Sequence, residues 1–448
     1  MAGFDLLIRG GTLILPDEGK EIKLNVAVSG GRIAALTADS PEAREVIDAD
    51  GLFVAPGFID THMHDEEVED GDTVELALLR QGVTTAFAGN CGTGPLARDI
   101  LPFRERPWLN LGYLTGHTKL REAAGVQDIY SAAPPEAVAE MKSLLRSELQ
   151  NGSFGLSVGL EYLPETPPSE VEALFETAAE FEKIWIPVHI RSDGPAAVNA
   201  TDEILGYAEK WPLRFQISHA GSMTAFGRLA EVLAHIDSAV ERGLDVTFDC
   251  YPYDAFCTRL GSAVFDPGFE ERWGKGRDAL EIGSGALRGR RLDEAGLYER
   301  LRKEAPDTLI IAHVMRGDEV ELCLSHPRCA VASDSLLKNG HGHPRAAGTF
   351  PRALRMLRDK GFSWPEAVRR CTSLPASMAW LEDKGRIAEG CAADFVIFNG
   401  DELRDNATFR QELLPPSGVK WVVLGGETAV KENEITGAPK GKLLRRSA

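Results

Sequence analysis

Long apolar runs are missing from this chain of 448 residues: none reaches the roughly 18–20 residues that span a bilayer. The opening Met1-Ala-Gly-Phe-Asp-Leu-Leu-Ile-Arg9 has neither a basic region nor an extended apolar one, so no secretory signal is expected. Positive charge is scarce. The 49 Lys and Arg are outnumbered by 68 Asp and Glu, and a net charge of −19 argues against nucleic acid or an anionic membrane as partner. The seven cysteines are odd in number and scattered, which is no disulfide framework, and a reducing cytoplasm is the expected compartment. Neither a repeat of solenoid period nor a low-complexity tract occurs.

What remains is the composition of a large globular protein, 43% apolar and punctuated by Gly and Pro, with room for a barrel plus a satellite domain. Residues 1–53 hold short β-prone runs separated by Gly-Gly pairs, which predicts hairpins, and the same texture returns from Gly385 onward. Hairpins at both ends suggest one small β-domain built from both termini. Between them, apolar runs alternate with helix-like stretches, the rhythm of a parallel sheet. Candidate strands are 53–59, 83–88, 108–114, 154–158, 184–188, 215–218, 244–248, 309–312 and 330–332. A closed (β/α)8 barrel needs eight, so one of these nine belongs elsewhere. Ser363-Trp-Pro-Glu366 predicts a capping box with Pro365 in the first helical turn. Residues 254–305 break the rhythm and read equally as a lid at the barrel mouth or as an excursion without a role in the reaction.

The stretch Ala55-Pro-Gly-Phe-Ile-Asp-Thr-His-Met-His-Asp65 organises the rest. On a strand, His62 and His64 project to the same face about 7 Å apart, close enough to converge on one ion. More polar side chains follow the other candidate strands: Cys91 in Gly89-Asn-Cys-Gly92, His189, His219, Asp249, and Asp334 after Ser333. In a barrel these positions gather at one mouth, and imidazole, thiolate and carboxylate are zinc ligand types. Zinc lowers the pKa of a bound water to roughly 7, and Asp334 could take a proton from such a water and return it to a leaving amine. Cys91, between glycines, also fits a small buried residue in a tight turn. The other six cysteines are assigned to packing, and His117, His235, His313 and His326 to ordinary structural roles.

Several separate motifs carry a resemblance over nearly the whole chain. Pro56-Gly-Phe-Ile-Asp-Thr-His-Met-His64 resembles the opening signature of the amidohydrolase superfamily. Gly89-Asn-Cys-Gly92, Gly159-Leu-Glu-Tyr162, Ile217-Ser-His219, Tyr251-Pro-Tyr253 and the segment from His343 to Arg352 resemble its N-acyl-D-amino-acid deacylase (D-aminoacylase) branch, as do Thr372-Ser-Leu-Pro-Ala376 and the segment from Gly385 to Val396. The resemblance implies an α/β fold, a distorted TIM (β/α)8 barrel with a β-sandwich, divided as 1–53, 54–384 and 385–448. It implies hydrolysis of a small N-acyl amino acid, with Cys91, His189 and His219 on a tight zinc and His62, His64 and Asp334 around a second, weaker site. Tyr162 and Arg345 would grip the substrate carboxylate, and Tyr253 would lie beside the scissile carbonyl. It fixes no oligomeric state.

The chain also departs from the branch. His219-Ala-Gly-Ser-Met223 lacks the basic residue usual there, for which Arg259 or Arg191 are candidate substitutes, and Ser333-Asp-Ser335 replaces Ser-Asp-Gly. Two other readings make different demands. A cyclic-amide hydrolase of the hydantoinase or dihydroorotase type would want a bridging carboxylated lysine, and no lysine ends the fourth strand. A metal-less scaffold would lack ligands, whereas all six are present.

Overall fold

Short apolar runs that are buried on both faces have no polar side to show solvent, and here eight of them pair in parallel. In a computed structural model, which describes residues 3–64, 73–97 and 107–447, Phe58–Met63 pairs with Val83–Ala88, and that strand with Asn110–Tyr113. The chain runs on into Thr115–Gly116, which pairs with Leu156–Gly159. Trp185–His189, Arg214–Ile217, Val246–Cys250 and Cys329–Val331 follow in order. Beyond the eighth strand the chain returns to the first. Ser335 bridges Met63 in parallel, and the Asp334 amide donates to the His62 carbonyl at 2.7 Å. Amphipathic helices such as Pro135–Gln150, Ala197–Lys210 and Leu229–Glu241 fill the connections.

The surplus candidate strand is 309–312. Leu309–Ala312 pairs antiparallel with Phe256–Arg259 and Leu280–Ile282, in a separate sheet inside the excursion between the seventh and eighth parallel strands. A four-residue buried apolar run looks the same in a parallel core as under a covered antiparallel sheet, so periodicity does not separate them.

The run read as one strand at 53–59 is two. Gly57 divides it, and a Cβ there would meet the Thr84 side chain at 2.1 Å, so only glycine allows this approach. Phe53–Pro56 belongs to a seven-stranded sheet that mixes both ends of the chain. Its order is Glu434–Ile435, Glu427–Lys431, Val419–Leu424, Phe395–Phe398, Phe53–Pro56, Thr12–Leu15, Lys20–Lys23. A four-stranded sheet of Phe4–Arg9, Asn25–Ser29, Arg32–Thr37 and Ala43–Asp48 shares one buried core with it, including Leu6, Val28, Leu13, Val54, Phe395 and Val423. The capping box is present. Ser363 N donates to Glu366 Oε2 at 2.8 Å, and Glu366 N donates to Ser363 Oγ at 3.3 Å. No helix among the described residues is long and apolar enough to cross a membrane.

Candidate metal centre

The six expected ligands sit where parallel strands end. His62 lies within Phe58–Met63 and His64 follows it, while His189 is the last residue of Trp185–His189. Asp65, the end of the organising stretch, lies outside the described residues. Cys91, His219 and Asp334 each stand just past a strand in the left-handed backbone region, at φ of 54°, 35° and 47°. Such a conformation costs an L-residue about 1–2 kcal/mol, and strain of this kind gathers at functional sites. At His219 the turn is held by its own amide, which donates to Asp249 Oδ1 at 2.9 Å.

Their side chains meet. Cys91 Sγ lies 3.3 Å from His62 Nε2 and 3.4 Å from His219 Nε2, and His189 Nδ1 lies 3.1 Å from His219 Nε2. Asp334 Oδ1 is 3.2 Å from His64 Nε2 and 3.5 Å from His62 Nε2. Donor atoms of Cys91, His189 and His219 all fall within 4.8 Å of one another, as do those of His62, His64 and Cys91 and those of His62, His219 and Asp334. Ligands about 2.0–2.3 Å from one tetrahedral ion lie roughly 3.3–3.7 Å apart, so most of these separations are close to edges of a coordination shell.

The far side of each imidazole decides what its near side can do. Thr93 Oγ1 donates to Asn90 O, and Ser222 Oγ donates to His219 O, so each hydroxyl is left to accept from a ring N–H. The rings in question are His64, whose Nδ1 is 3.3 Å from Thr93, and His219, whose Nδ1 is 2.9 Å from Ser222. His189 Nε2 donates to Glu161 Oε2 at 2.9 Å, and His62 Nδ1 faces Asp249 Oδ2 at 3.6 Å. With Nδ1 of His64 and His219 and Nε2 of His189 engaged outward, the opposite nitrogen of each of these rings is the one that would give a lone pair to an ion, as in metal-binding histidines.

The charges ask for a cation too. Burial alone would raise the Cys91 thiol, but His62 and His219 hold it well below its usual value. Burial would also raise Asp334, yet Arg345, His219 and the His62–His64 pair pull it well below the carboxylate range. Burial opposes charge on His62 as well, and Cys91 and Asp249 nevertheless push it up to about 10. Inward lone pairs beside a thiolate and a carboxylate fit a divalent ion, and the mix of sulfur, imidazole and carboxylate suits zinc.

A cavity of about 410 Å3 opens over the cluster. His64, Cys91, Thr93, Tyr162 and Asp334 line it, together with Lys119 and Arg259. Tyr162 stacks on His189 with ring centroids 4.5 Å apart, its hydroxyl 3.2 Å from Thr258 Oγ1.

Arg345 and Tyr253 are not among the described lining residues. Arg345 is 1% exposed, with Nη1 2.8 Å from Asp334 Oδ2, Nη2 donating to the Cys257 carbonyl at 3.1 Å, and the guanidinium 4.7 Å over the Tyr251 ring. Tyr253 packs edge-on against His343 under the guanidinium of Arg352. Arg191 is engaged by Glu203 through Nε and Nη2, at 2.9 and 2.7 Å. The histidines given structural roles each face a carboxylate: His117 with Glu170, His235 with Asp202, His313 with Glu281 and His326 with Asp237.

Three residues that orient the rings, Thr93, Glu161 and Ser222, were not anticipated, and Asp249 was expected at the barrel mouth but not in this role. Glu161 and Asp249 carried a usable signal, being carboxylates at strand ends beside ligands. Ser222, one helical turn after His219, had a weaker one.

Comparison with known proteins bears on this site. The sequence profile of the amidohydrolase family matches residues 45–135 and 225–430. N-acyl-D-glutamate deacylase of Alcaligenes xylosoxydans xylosoxydans is 32% identical over 495 residues, covering 99% of this chain and 97% of its own length. The chain belongs to the amidohydrolase family. N-acyl-D-aspartate deacylase of the same organism is 34% identical to this amidohydrolase over 98% of the chain and 95% of that relative. Among solved structures, N-acyl-D-glutamate deacylase from Bordetella bronchiseptica, complexed with zinc and a phosphonate mimic of the tetrahedral intermediate, superposes with a TM-score of 0.89. It shares 29% identity and covers 99% of this chain and 100% of its own. The fold this amidohydrolase shares with such neighbours is mixed α/β, of the TIM-barrel type.

Proposed function

We propose that this amidohydrolase is a zinc-dependent deacylase that hydrolyses an N-acyl-D-amino acid to the free amino acid and a carboxylic acid. The observation that carries the reading is the convergence of Cys91, His189 and His219, with Asp334 close by, next to a cavity whose lining includes Cys91, Asp334 and Arg259. The eight parallel strands close as a distorted (β/α)8 barrel within residues 54–384, and 1–53 with 385–448, joined by residues 54–56 in the seven-stranded sheet, form the β-sandwich. Seven buried free cysteines suit a reducing cytoplasm.

Cys91, His189 and His219 would hold the zinc, with His62, His64 and Asp334 offering a second, weaker place. Bound there, zinc supplies Lewis acidity and water of lowered pKa. Asp334 has one oxygen tied to Arg345 and the other facing His62 and His64, so it is held in place, ionised, to accept a proton from the attacking water. It then passes that proton to the departing amine nitrogen. Arg259 and Tyr162, on the cavity wall, receive the substrate carboxylate, the guanidinium fork matching its two oxygens. Arg345 acts through Asp334, and Tyr253 supports the wall from behind.

Release of free amine from N-acetyl, N-formyl and N-succinyl derivatives of D- and L-amino acids tests the reading. Turnover of the D-series is expected. Opening of hydantoin or dihydroorotate rings with no deacylation would replace it by the cyclic-amide reading.

A further inference from the structure

We infer that the excursion between the seventh and eighth strands is a latch that positions a metal-site histidine, through Arg272 and Trp273 acting on Asp193 and Glu161. The inference rests on His189 being a zinc ligand. Arg272 and Trp273 end the short helix Phe269–Trp273. Arg272 Nε lies 2.6 Å from Asp193 Oδ1, and its Nη2 lies 3.3 Å from Glu161 Oε1. Trp273 Nε1 donates to Asp193 Oδ2 at 2.6 Å. The other oxygen of Glu161 takes the N–H of His189 at 2.9 Å. Two buried carboxylates from different strand ends are thus bridged by one guanidinium that comes from the excursion.

The contact is built closely. Gly194, beside Asp193, stands at φ +60°, and a Cβ there would meet the Arg272 carbonyl oxygen at 3.0 Å and its Cγ at 3.2 Å. Arg272 is also anchored from its own side, where Nη2 donates to the Val264 carbonyl at 2.6 Å. Other arginines of the excursion are used differently: Arg277 pairs with Glu270 and Glu299, and Arg290 with Glu294.

The chemistry follows from what Glu161 does. Its carboxylate fixes the tautomer and tilt of His189, so that Nδ1 faces Cys91 and His219 with a lone pair. Remove Arg272, and the buried Glu161 loses the guanidinium that holds its outer oxygen beside Asp193. Glu161 then turns away, and the ring loses the partner that aims it. Loss of an outer partner of this kind weakens metal binding by about 10- to 100-fold. Arg272 and Trp273 are positioning residues and touch no reacting atom.

Zinc affinity of the full chain, measured by competition with a chromogenic chelator, tests the latch in Arg272→Ala, Arg272→Lys and Trp273→Phe, with Arg290→Ala as the control. Arg272→Ala is expected to weaken the tight zinc about 10- to 100-fold and to lower kcat with KM nearly unchanged. Arg272→Lys should recover part of the affinity. Trp273→Phe, which keeps the ring and loses only the N–H, should show a smaller loss, and Arg290→Ala none. If Arg272→Ala does not fold, the other two variants carry the test. Zinc affinity within twofold of the unmodified protein in every folded Arg272 and Trp273 variant overturns the latch alone. An unmodified protein that binds no zinc overturns the metal-centre reading itself.

Discussion

Arg345 and Asp334 form a buried ion pair in which Nη1 lies 2.8 Å from Oδ2, leaving Oδ1 to face the histidines. The arginine, under Tyr251, does for the acid what solvent would do at the surface: it keeps the charge. Burial would otherwise raise the carboxyl, and Arg345 is the largest of the influences that bring it down. Asp334→Asn keeps the shape and removes the proton acceptor. Its kcat should fall about 10^2- to 10^4-fold, while the zinc held by Cys91, His189 and His219 stays at full stoichiometry by elemental analysis. Near-normal turnover would remove Asp334 from the mechanism.

Arg259 and Arg345 should separate by kinetics. On the cavity wall, Arg259→Ala removes a charge-assisted contact and should raise KM for carboxylate-bearing substrates about 10- to 100-fold, with neutral N-acyl amides spared. Arg345→Ala should lower kcat on both substrate classes, because it acts through Asp334. A selective loss of carboxylate-bearing substrates in Arg345→Ala would return that arginine to the substrate.

Cys91→Ser and His64→Ala test the order of the two metal positions. Dialysis against a weak chelator should strip zinc from Cys91→Ser under conditions in which the unmodified protein and His64→Ala retain it. Equal loss in both variants would mean that the sulfur has no special hold.

Glu170 offers a pH test away from the metal. Burial would raise its carboxyl, but hydrogen bonds and charge from His117, the Ala133 amide and Arg121 bring it down to about 2. A folded value below the ordinary 4.5 contributes stability that is present above pH 4.5 and lost as the pH falls toward 2. Glu170→Gln should therefore unfold at a lower temperature than the unmodified protein at pH 7, by roughly 2 °C for about 2 kcal/mol in a chain this long. The gap should narrow between pH 5 and pH 3. A gap independent of pH would mean that packing, and not ionisation, sets the contribution of Glu170.

How much of this was readable in the sequence depended on how local the determinant is. His62 and His64 share a face because strand side chains alternate, and Ser363 caps with Glu366 because one helical turn brings them together. Both relations are fixed within a few residues, and both were read correctly. Strand-end positions gathered Cys91, His189, His219 and Asp334 at one mouth, and the family resemblance supplied their division between a tight and a weaker metal site. Long-range packing hid the rest. Nothing near Leu309 says that its strand pairs antiparallel with Phe256–Arg259, and nothing near Arg345 says that its guanidinium meets Asp334. Glu161 was in view as part of a motif, yet its tie to Arg272, 111 positions later, needed the fold.

The seven-stranded sheet sets a schedule for synthesis. Phe53 pairs with Phe398, so the strand holding Phe53 leaves the ribosome 345 positions ahead of its neighbour. At about 5–20 residues per second the wait is roughly 20–70 s. Through that interval Phe53–Pro56, already paired on its other side with Thr12–Leu15, presents an unpaired edge to whatever is nearby. A product halted before Phe395 would keep that edge for good, and chaperone dependence should be concentrated in this window of translation.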